Sequence, residues 1–532
     1  MRSKTAAVFA VFSTAAIAGT GDAIRVESGL LTGIAGARPG VRVYKGVPYA
    51  APPIGPLRWK EPQPAAKWTG IRKADQFGPS CTRGVSKYMP APYGMSEDCL
   101  HLNIWTPAKT LADGLPVMVW IHGSGFFDGA GTEPRYDGES LASKGVIVVT
   151  FNYRLGILGF LAHPALARES AHHSSGNYGF LDQVEALRWV HQNIAAFGGN
   201  PDRVTIFGQS AGAMSVSALL GSPLTRGLIA GAIGESGSFF GPILKPMTMA
   251  EAEAAGVKYV SSHSAAAPAD LRKIPAEQLV EPFGTNDIYN GPAIVDGYFL
   301  PAPLKDIYAA GKQQHVPLLT GFNSDEMSAA IISKTMSVRE LRDQLFYFLL
   351  EWDDENYRDD QPQLMTAYAA NTDQAAEIAN RDFMADQYTG YATWKWINLH
   401  TKTSAKPAFR YVFNRLSPPL KTATDSQLGP RALGARASSE IEYVFGTLNS
   451  NERFSWRPDD FKVSELMQSY WTNFAKTGDP NGPGLPVWGA YTNKSGPQVM
   501  TLDLNSRSAP EAHRDRYIAL DRIYSKNVKK RR

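Results

Sequence analysis

From Val204 to Ala213 the chain reads Val-Thr-Ile-Phe, then Gly-Gln-Ser-Ala-Gly, then Ala. The first part is β-branched and aromatic, which suits a buried strand, and the apolar stretch from Ala211 suits a helix. Only a sharp turn can join them, and Gly208 and Gly212 supply the small residues that such a turn needs around Ser210. The serine hydroxyl is then expected at a sheet edge, above the N-terminus of a helix whose amides favour negative charge.

This turn sits in a wider alternation. Leu115 to Gly123 and Gly145 to Arg154 are near-continuous apolar runs ending in glycine or polar residues, as expected of strands buried on both faces. Between the second run and the serine, Phe180, Val184, Leu187, Val190 and Ile194 fall at helical spacing, and Gly198-Gly199-Asn200-Pro201 stops the pattern. Strand, helix, strand and helix in succession predict an α/β chain with a mostly parallel twisted sheet flanked by helices. Val316 to Gly321 and Ala408 to Asn414 read as later strands of that sheet. The stretch from about Met336 to His400 is helical in character and carries Phe346, Tyr347, Phe348, Trp352, Trp394 and Trp396. As a region it suits a cover over the sheet's C-terminal edge, where α/β sites open, while each single aromatic is better read as a core residue of packed helices.

Residues 1–18 combine early cations, an apolar stretch and the triplet Ala16-Ile17-Ala18, the pattern of a secretory signal too short to span a bilayer. Residues 19–525 are expected to form one domain, with 526–532 a basic tail and a secreted or periplasmic destination. No later segment is continuously apolar for about 18 residues, so no integral membrane segment is expected. The balance of 54 basic to 50 acidic residues is spread too thinly to indicate nucleic acid. Cys81 and Cys99 are the only cysteines, which in an exported chain favours one structural disulfide and leaves too few ligands for a zinc site. The oligomeric state is not legible.

A serine nucleophile also needs donors for a tetrahedral oxyanion. The stretch His122-Gly-Ser-Gly-Phe-Phe-Asp-Gly129 follows an apolar run, and its glycines permit a tight turn with successive N–H groups pointing inward.

From about Val43 to Tyr524 the sequence resembles the type-B carboxylesterases, the cholinesterase-like branch of the α/β-hydrolases. The matching stretches are VYKGVPYAAPPIGPLRWKEP, SEDCLHLNIWTP, FNYRLGILGFL, FGGNPDRVTIFGQSAGA, GFNSDEM, EIEYVFG and YWTNFAKTGDPNG. The resemblance implies an α/β-hydrolase fold, a Ser210 nucleophile, oxyanion donors at the backbone of Ser124, Gly125 and Ala211, and a Cys81–Cys99 disulfide. It also implies Glu326 as the acid that orients a histidine, with Asp325 the neighbouring competitor. No cofactor is implied. Two residues depart from the pattern: Ser124 stands at a family glycine, and Met327 at the glycine after the acid.

The largest departure is the general base. In this fold the triad runs serine, acid, histidine, and only His400 and His513 follow Glu326. Neither lies in a small-residue loop after a strand. The family's H-x-x-E-I-x-Y-V-F-G stretch is here Ala437-Ser-Ser-Glu-Ile-Glu-Tyr-Val-Phe-Gly446, so Ala437 holds the histidine's position. Loss of a triad member costs on the order of 10⁴- to 10⁶-fold in comparable hydrolases. An engineered His-to-Ala exchange and a natural pseudoenzyme both account for this, and retention of Ser210, Glu326 and the glycine turn favours the first.

The reading is therefore a carboxylic-ester hydrolase acting through an acyl-enzyme on a small-molecule ester, disabled at Ala437. The alternative is a non-catalytic binding protein on the same fold. Phe126 and Phe127 beside the turn suggest a hydrophobic or aromatic ester, and Gln209, where cholinesterases carry glutamate, disfavours a choline ester.

Overall fold

Alternate residues of the central strands face opposite cores. Val117, Val119 and Ile121 pack with Val204, Ile206 and Leu219 on one face, while Met118 and Trp120 pack with Phe207, Ile233 and Trp471 on the other. Continuous apolar runs arise because both sheet faces are covered.

The computed structural model describes residues 23–84, 91–242, 245–280, 293–326, 336–352, 357–421, 434–491 and 496–526. Residues 1–18, the position Met327 and residues 527–532 of the basic tail therefore lie outside the described residues. The main sheet contains β1 (Ile34–Ala35), β2 (Arg42–Pro48), β3 (His101–Thr106), β4 (Leu115–Ile121), β5 (Ile147–Phe151), β6 (Gly199–Gln209), β7 (Gly231–Glu235), β8 (Leu318–Asn323), β9 (Ala408–Phe413), β10 (Gln498–Leu502) and β11 (Arg507–Pro510). Its order is β11-β10-β9-β8-β7-β6-β4-β5-β3-β2-β1. Every pair from β10 to β5 is parallel, and the pairs at both edges are antiparallel. The mostly parallel sheet is the one expected from the alternation, and its arrangement is the α/β-hydrolase fold that the resemblance implies. The antiparallel edges escaped the sequence reading because β1 has only two residues and the other edge strands mix polar with apolar residues.

From β4 the chain proceeds to β5 on one side, whereas β6 pairs on the other. The carboxyl ends of β4 and β6 thus meet where the winding reverses, the crevice in which open α/β sheets hold ligands. Helix α1 (Tyr178–Asn193) and helix α2 (Ala211–Gly221) cover one face, the latter wholly buried.

Helices α3 (Val338–Trp352), α4 (Tyr357–Ala367), α5 (Asp373–Ala385) and α6 (Tyr391–Thr403) form the expected helical region, packed with the terminal helix α8 (Arg514–Lys526). Helix α7 (Pro458–Thr477) lies on the second sheet face. Most of the region's aromatics serve its own core. Phe348 and Trp352 meet Tyr524, Trp394 stacks on Tyr517, and Tyr347 is exposed. No helix among the described residues is long and apolar enough to cross a membrane.

Candidate active site

Ser210 follows β6 directly and opens α2 with φ 54° and ψ −120°, a conformation rarely adopted by an L-residue. Its amide donates to Glu235 O at 2.8 Å, and its carbonyl accepts Met214 N at 2.9 Å. The flanking glycines are required sterically. A Cβ on Gly212 would stand 1.9 Å from Ile121 O, and one on Gly208 would stand 2.6 Å from the same oxygen. Gly212→Ala must therefore push α2 away from β4, and a loss of about 2–3 kcal/mol is expected in urea unfolding. A melt equal to that of the parent would contradict this close approach.

After β4, the residues Ser124, Gly125 and Phe126 have φ values of 71°, 68° and 67°. Phe127 N and Asp128 N both donate to Ser124 O at 3.2 Å, which closes the turn. Gly123 packs against Ser210, because a Cβ there would be 3.3 Å from the serine Cβ. Ser124 thus adopts the left-handed conformation that suits glycine, at a cost on the order of 1 kcal/mol. Phe126 is turned into the core against Phe160, Phe180 and Phe239, so it anchors the turn, while Phe127 stays partly exposed.

Glu326 lies just beyond β8 and is buried. Its Oε1 accepts Asn323 N at 2.9 Å, and the Ser236 hydroxyl also bonds the carboxyl. The neighbouring Asp325 is oriented differently, with Oδ2 3.7 Å from Arg381 Nη1 of α5. The turn that bears Ala437 is laced to this acid segment. Asn323 Nδ2 donates to Arg436 O at 2.8 Å, Asp325 N to Ala435 O at 2.8 Å, and Ala435 N to Ser324 Oγ at 3.0 Å. Ala437 itself is exposed.

The two histidines downstream of Glu326 lie elsewhere. His400 is buried in α6, with Nε2 2.9 Å from Val316 O. Val316 precedes β8, and β6, β7 and β8 are parallel, so His400 sits at the sheet edge opposite Ser210. Burial holds its imidazole down at about 4. His513 lies ahead of α8, where its carbonyl accepts Arg516 N. His122, at the end of β4, is stacked on Tyr153 at 4.4 Å, and burial depresses it to about 3.

Sequence reading missed a cluster of buried carboxyls beneath the site. Glu440 Oε2 accepts from Asn323 Nδ2, and its Oε1 is 3.5 Å from Ser236 Oγ. Glu235 Oε1 accepts Trp471 Nε1 at 2.7 Å. Burial, and then repulsion by Glu440, holds both Glu326 and Glu235 well above the usual carboxylate range, and burial does the same to Glu440. In sequence the three acids are 91 and 114 positions apart (326 − 235 and 440 − 326), and only the fold brings them together. Tyr388 was also missed. It sits in a π-helical turn, Asp386–Gly390, between α5 and α6, and its phenol is pushed up by burial and by Glu326. No local pattern marks that turn.

A carboxyl with a raised folded pKa binds its proton more tightly in the folded chain. Its contribution to stability is complete at acid pH and falls as pH rises through the folded value. Glu235→Gln keeps an acceptor for Trp471 and removes the charge. The variant is expected to melt above the parent, by a margin that widens from about pH 5 to about pH 8. A margin that shrinks over that range would contradict the assignment.

A serine at a strained strand-to-helix turn, on a sheet of this topology, defines the α/β-hydrolase class. Residues 21–519 match the carboxylesterase family model, and the chain belongs to that family of ester hydrolases. It is 36% identical over 485 residues to fumonisin B1 esterase of Sphingopyxis macrogoltabida, covering 90% of this chain and 85% of the relative. It is 34% identical over 526 residues to cocaine esterase of Homo sapiens, covering 91% and 88%. Among solved structures it resembles a thermophilic PNB esterase with a TM-score of 0.77 and 31% identity, covering 94% of this chain and all of that one.

Proposed function

We propose that the chain is a serine carboxylesterase framework whose Ser210 attacks an ester carbonyl to form an acyl-enzyme, with turnover strongly reduced by alanine at position 437. The observation that carries this reading is the strained Ser210, packed against the glycine turn of Ser124 and Gly125. In this reading the amides of Ser124, Gly125 and Ala211 stabilise the oxyanion, and Glu326 is the acid that would orient and stabilise an imidazolium. Glu326 is favoured over Asp325 because the latter faces the Arg381 guanidinium. Ala437 is taken as the position of the base because the adjoining Arg436 and Ala435 are bonded to the acid segment. Without a base there, the Ser210 proton has no acceptor as the nucleophile forms.

The substrate proposed is a hydrophobic or aromatic ester. Support comes from partly exposed Phe127, from Gln209 beside the serine, and from relatives named for cocaine and fumonisin B1. With Ala437→His, p-nitrophenyl and aryl esters are expected to turn over faster than choline esters, and the reverse order would overturn the substrate class. The alternative is a non-catalytic binding protein. An organophosphonate that fails to label Ser210 in Ala437→His would favour that alternative.

Export is proposed from the signal-like residues 1–18 and from the single Cys81–Cys99 disulfide, which suits an oxidising compartment. Unreduced periplasmic protein is expected to give one linked Cys81–Cys99 peptide by mass spectrometry. Two alkylatable thiols in that material would contradict this.

A further inference from the structure

Three successive left-handed residues, two of them not glycine, do not hold their shape unaided. Ser124 and Phe126 each cost on the order of 1 kcal/mol or more in this conformation, so the surroundings must fix the turn. One end is fixed by the Phe126 ring in the aromatic core and by Gly156 N, which donates to Phe126 O at 2.7 Å. The other end is fixed by Asp128. Its amide closes the turn on Ser124 O, and its Oδ1 accepts Gly129 N at 2.6 Å and Arg83 Nη1 at 2.5 Å. The Arg83 and Asp128 side chains are 2% and 9% exposed, so this ion pair is shielded from solvent.

Arg83 stands two residues after Cys81, inside the loop that the Cys81–Cys99 disulfide closes. A second strap runs in parallel. Asn152 Oδ1 accepts Gly131 N at 2.9 Å, while its Nδ2 donates to Pro79 O at 2.9 Å and Cys99 O at 3.2 Å. The segment from Asp128 to Gly131 is therefore bound at two points to the disulfide loop, which is otherwise distant in sequence.

We propose that the buried Arg83–Asp128 pair is a positioning element that couples the Cys81–Cys99 loop to the turn presenting the Ser124 and Gly125 amides. This rests on the reading of Ser210 as nucleophile. Oxyanion stabilisation depends on donors held at a fixed distance before charge develops, so slack in the turn lowers the chemical step and leaves ground-state binding almost unchanged. Opening the disulfide slackens the same turn through Arg83. The carboxylate and guanidinium exchange no atoms with substrate; their role is geometric.

The test uses the full chain carrying Ala437→His, with kcat and KM on a p-nitrophenyl ester and the rate at which an organophosphonate modifies Ser210. Asp128→Asn and Arg83→Gln are each expected to lower kcat and the modification rate about 10- to 100-fold, with KM within about twofold. The double variant is expected to be no slower than either single one, as for two partners of one contact. Arg83→Lys, which keeps the charge, is expected to recover most of the loss and covers the case in which Asp128→Asn does not fold. Dithiothreitol is expected to slow the Ala437→His protein more than Arg83→Gln in the same background. Folded single variants with unchanged kcat, or additive losses in the double, would overturn the proposal while leaving the Ser210 reading intact. An Ala437→His protein that neither turns over nor reacts with phosphonate would overturn both.

Discussion

Replacing Ala437 with histidine is expected to raise ester hydrolysis by about four to six powers of ten, with KM changed by no more than about threefold. The expectation follows from what the chain retains. Ser210 is strained at the end of β6, the glycine turn packs against it, and Glu326 lies buried beside the segment that carries position 437. An imidazole there accepts the serine proton as the C–O bond forms, and it acts mainly in the transition state, so kcat gains and binding does not. In this reading its cation also stands beside a carboxyl whose charged neighbours, Glu440 and Asp325, are both acids. Opposite charge lowers a carboxyl pKa, so Glu326 should ionise more readily in the variant than in the parent. The recovered rate is expected to fall on the acid side near the imidazole pKa, roughly 6 to 7, as the base becomes protonated. Steady-state kinetics from pH 5 to 9 check this. No gain from Ala437→His, with activity instead lost in His400→Ala or His513→Ala, would assign the base to another residue.

In that background, Glu326→Gln is expected to remove on the order of 10³- to 10⁴-fold of the recovered kcat, and Asp325→Asn far less. The contrast tests the choice between adjacent acids. Glu326 accepts the Asn323 amide and the Ser236 hydroxyl and has two acidic neighbours, whereas Asp325 points to Arg381. A glutamine keeps the size and an acceptor but cannot stabilise an imidazolium by charge. A larger loss from Asp325→Asn, with the fold intact by circular dichroism, would reverse the assignment. Both variants should be compared at a pH above the imidazole titration, so that the protonation state of the base does not confuse the result.

The parallel core was legible because its strands are buried on both faces and read as unbroken apolar runs, as at Val117 to Ile121 and Ile147 to Phe151. The turn at Ser210 was legible because only glycine fits at Gly208 and Gly212. Position 437 was proposed by register alone; Asn323 and Asp325 bond the backbone of its neighbours Arg436 and Ala435, a proximity that no local sequence pattern carries. Glu235, Glu440 and Tyr388 were not legible as site neighbours. Each is a single residue in an ordinary local pattern, and what distinguishes it is long-range burial next to Glu326. The helical region was legible as helices, and Phe348 and Trp394 pack those helices on one another, the core role that the sequence favoured for each single aromatic.

The central claim is that Ser210 is a competent nucleophile lacking only a base at position 437, and site-mapped phosphonylation tests it most directly. An organophosphonate should add once per chain, on the peptide containing Ser210, at least about 10³-fold faster in Ala437→His than in the parent. Equal rates in the two proteins, or an adduct mapped to any other residue, would contradict it.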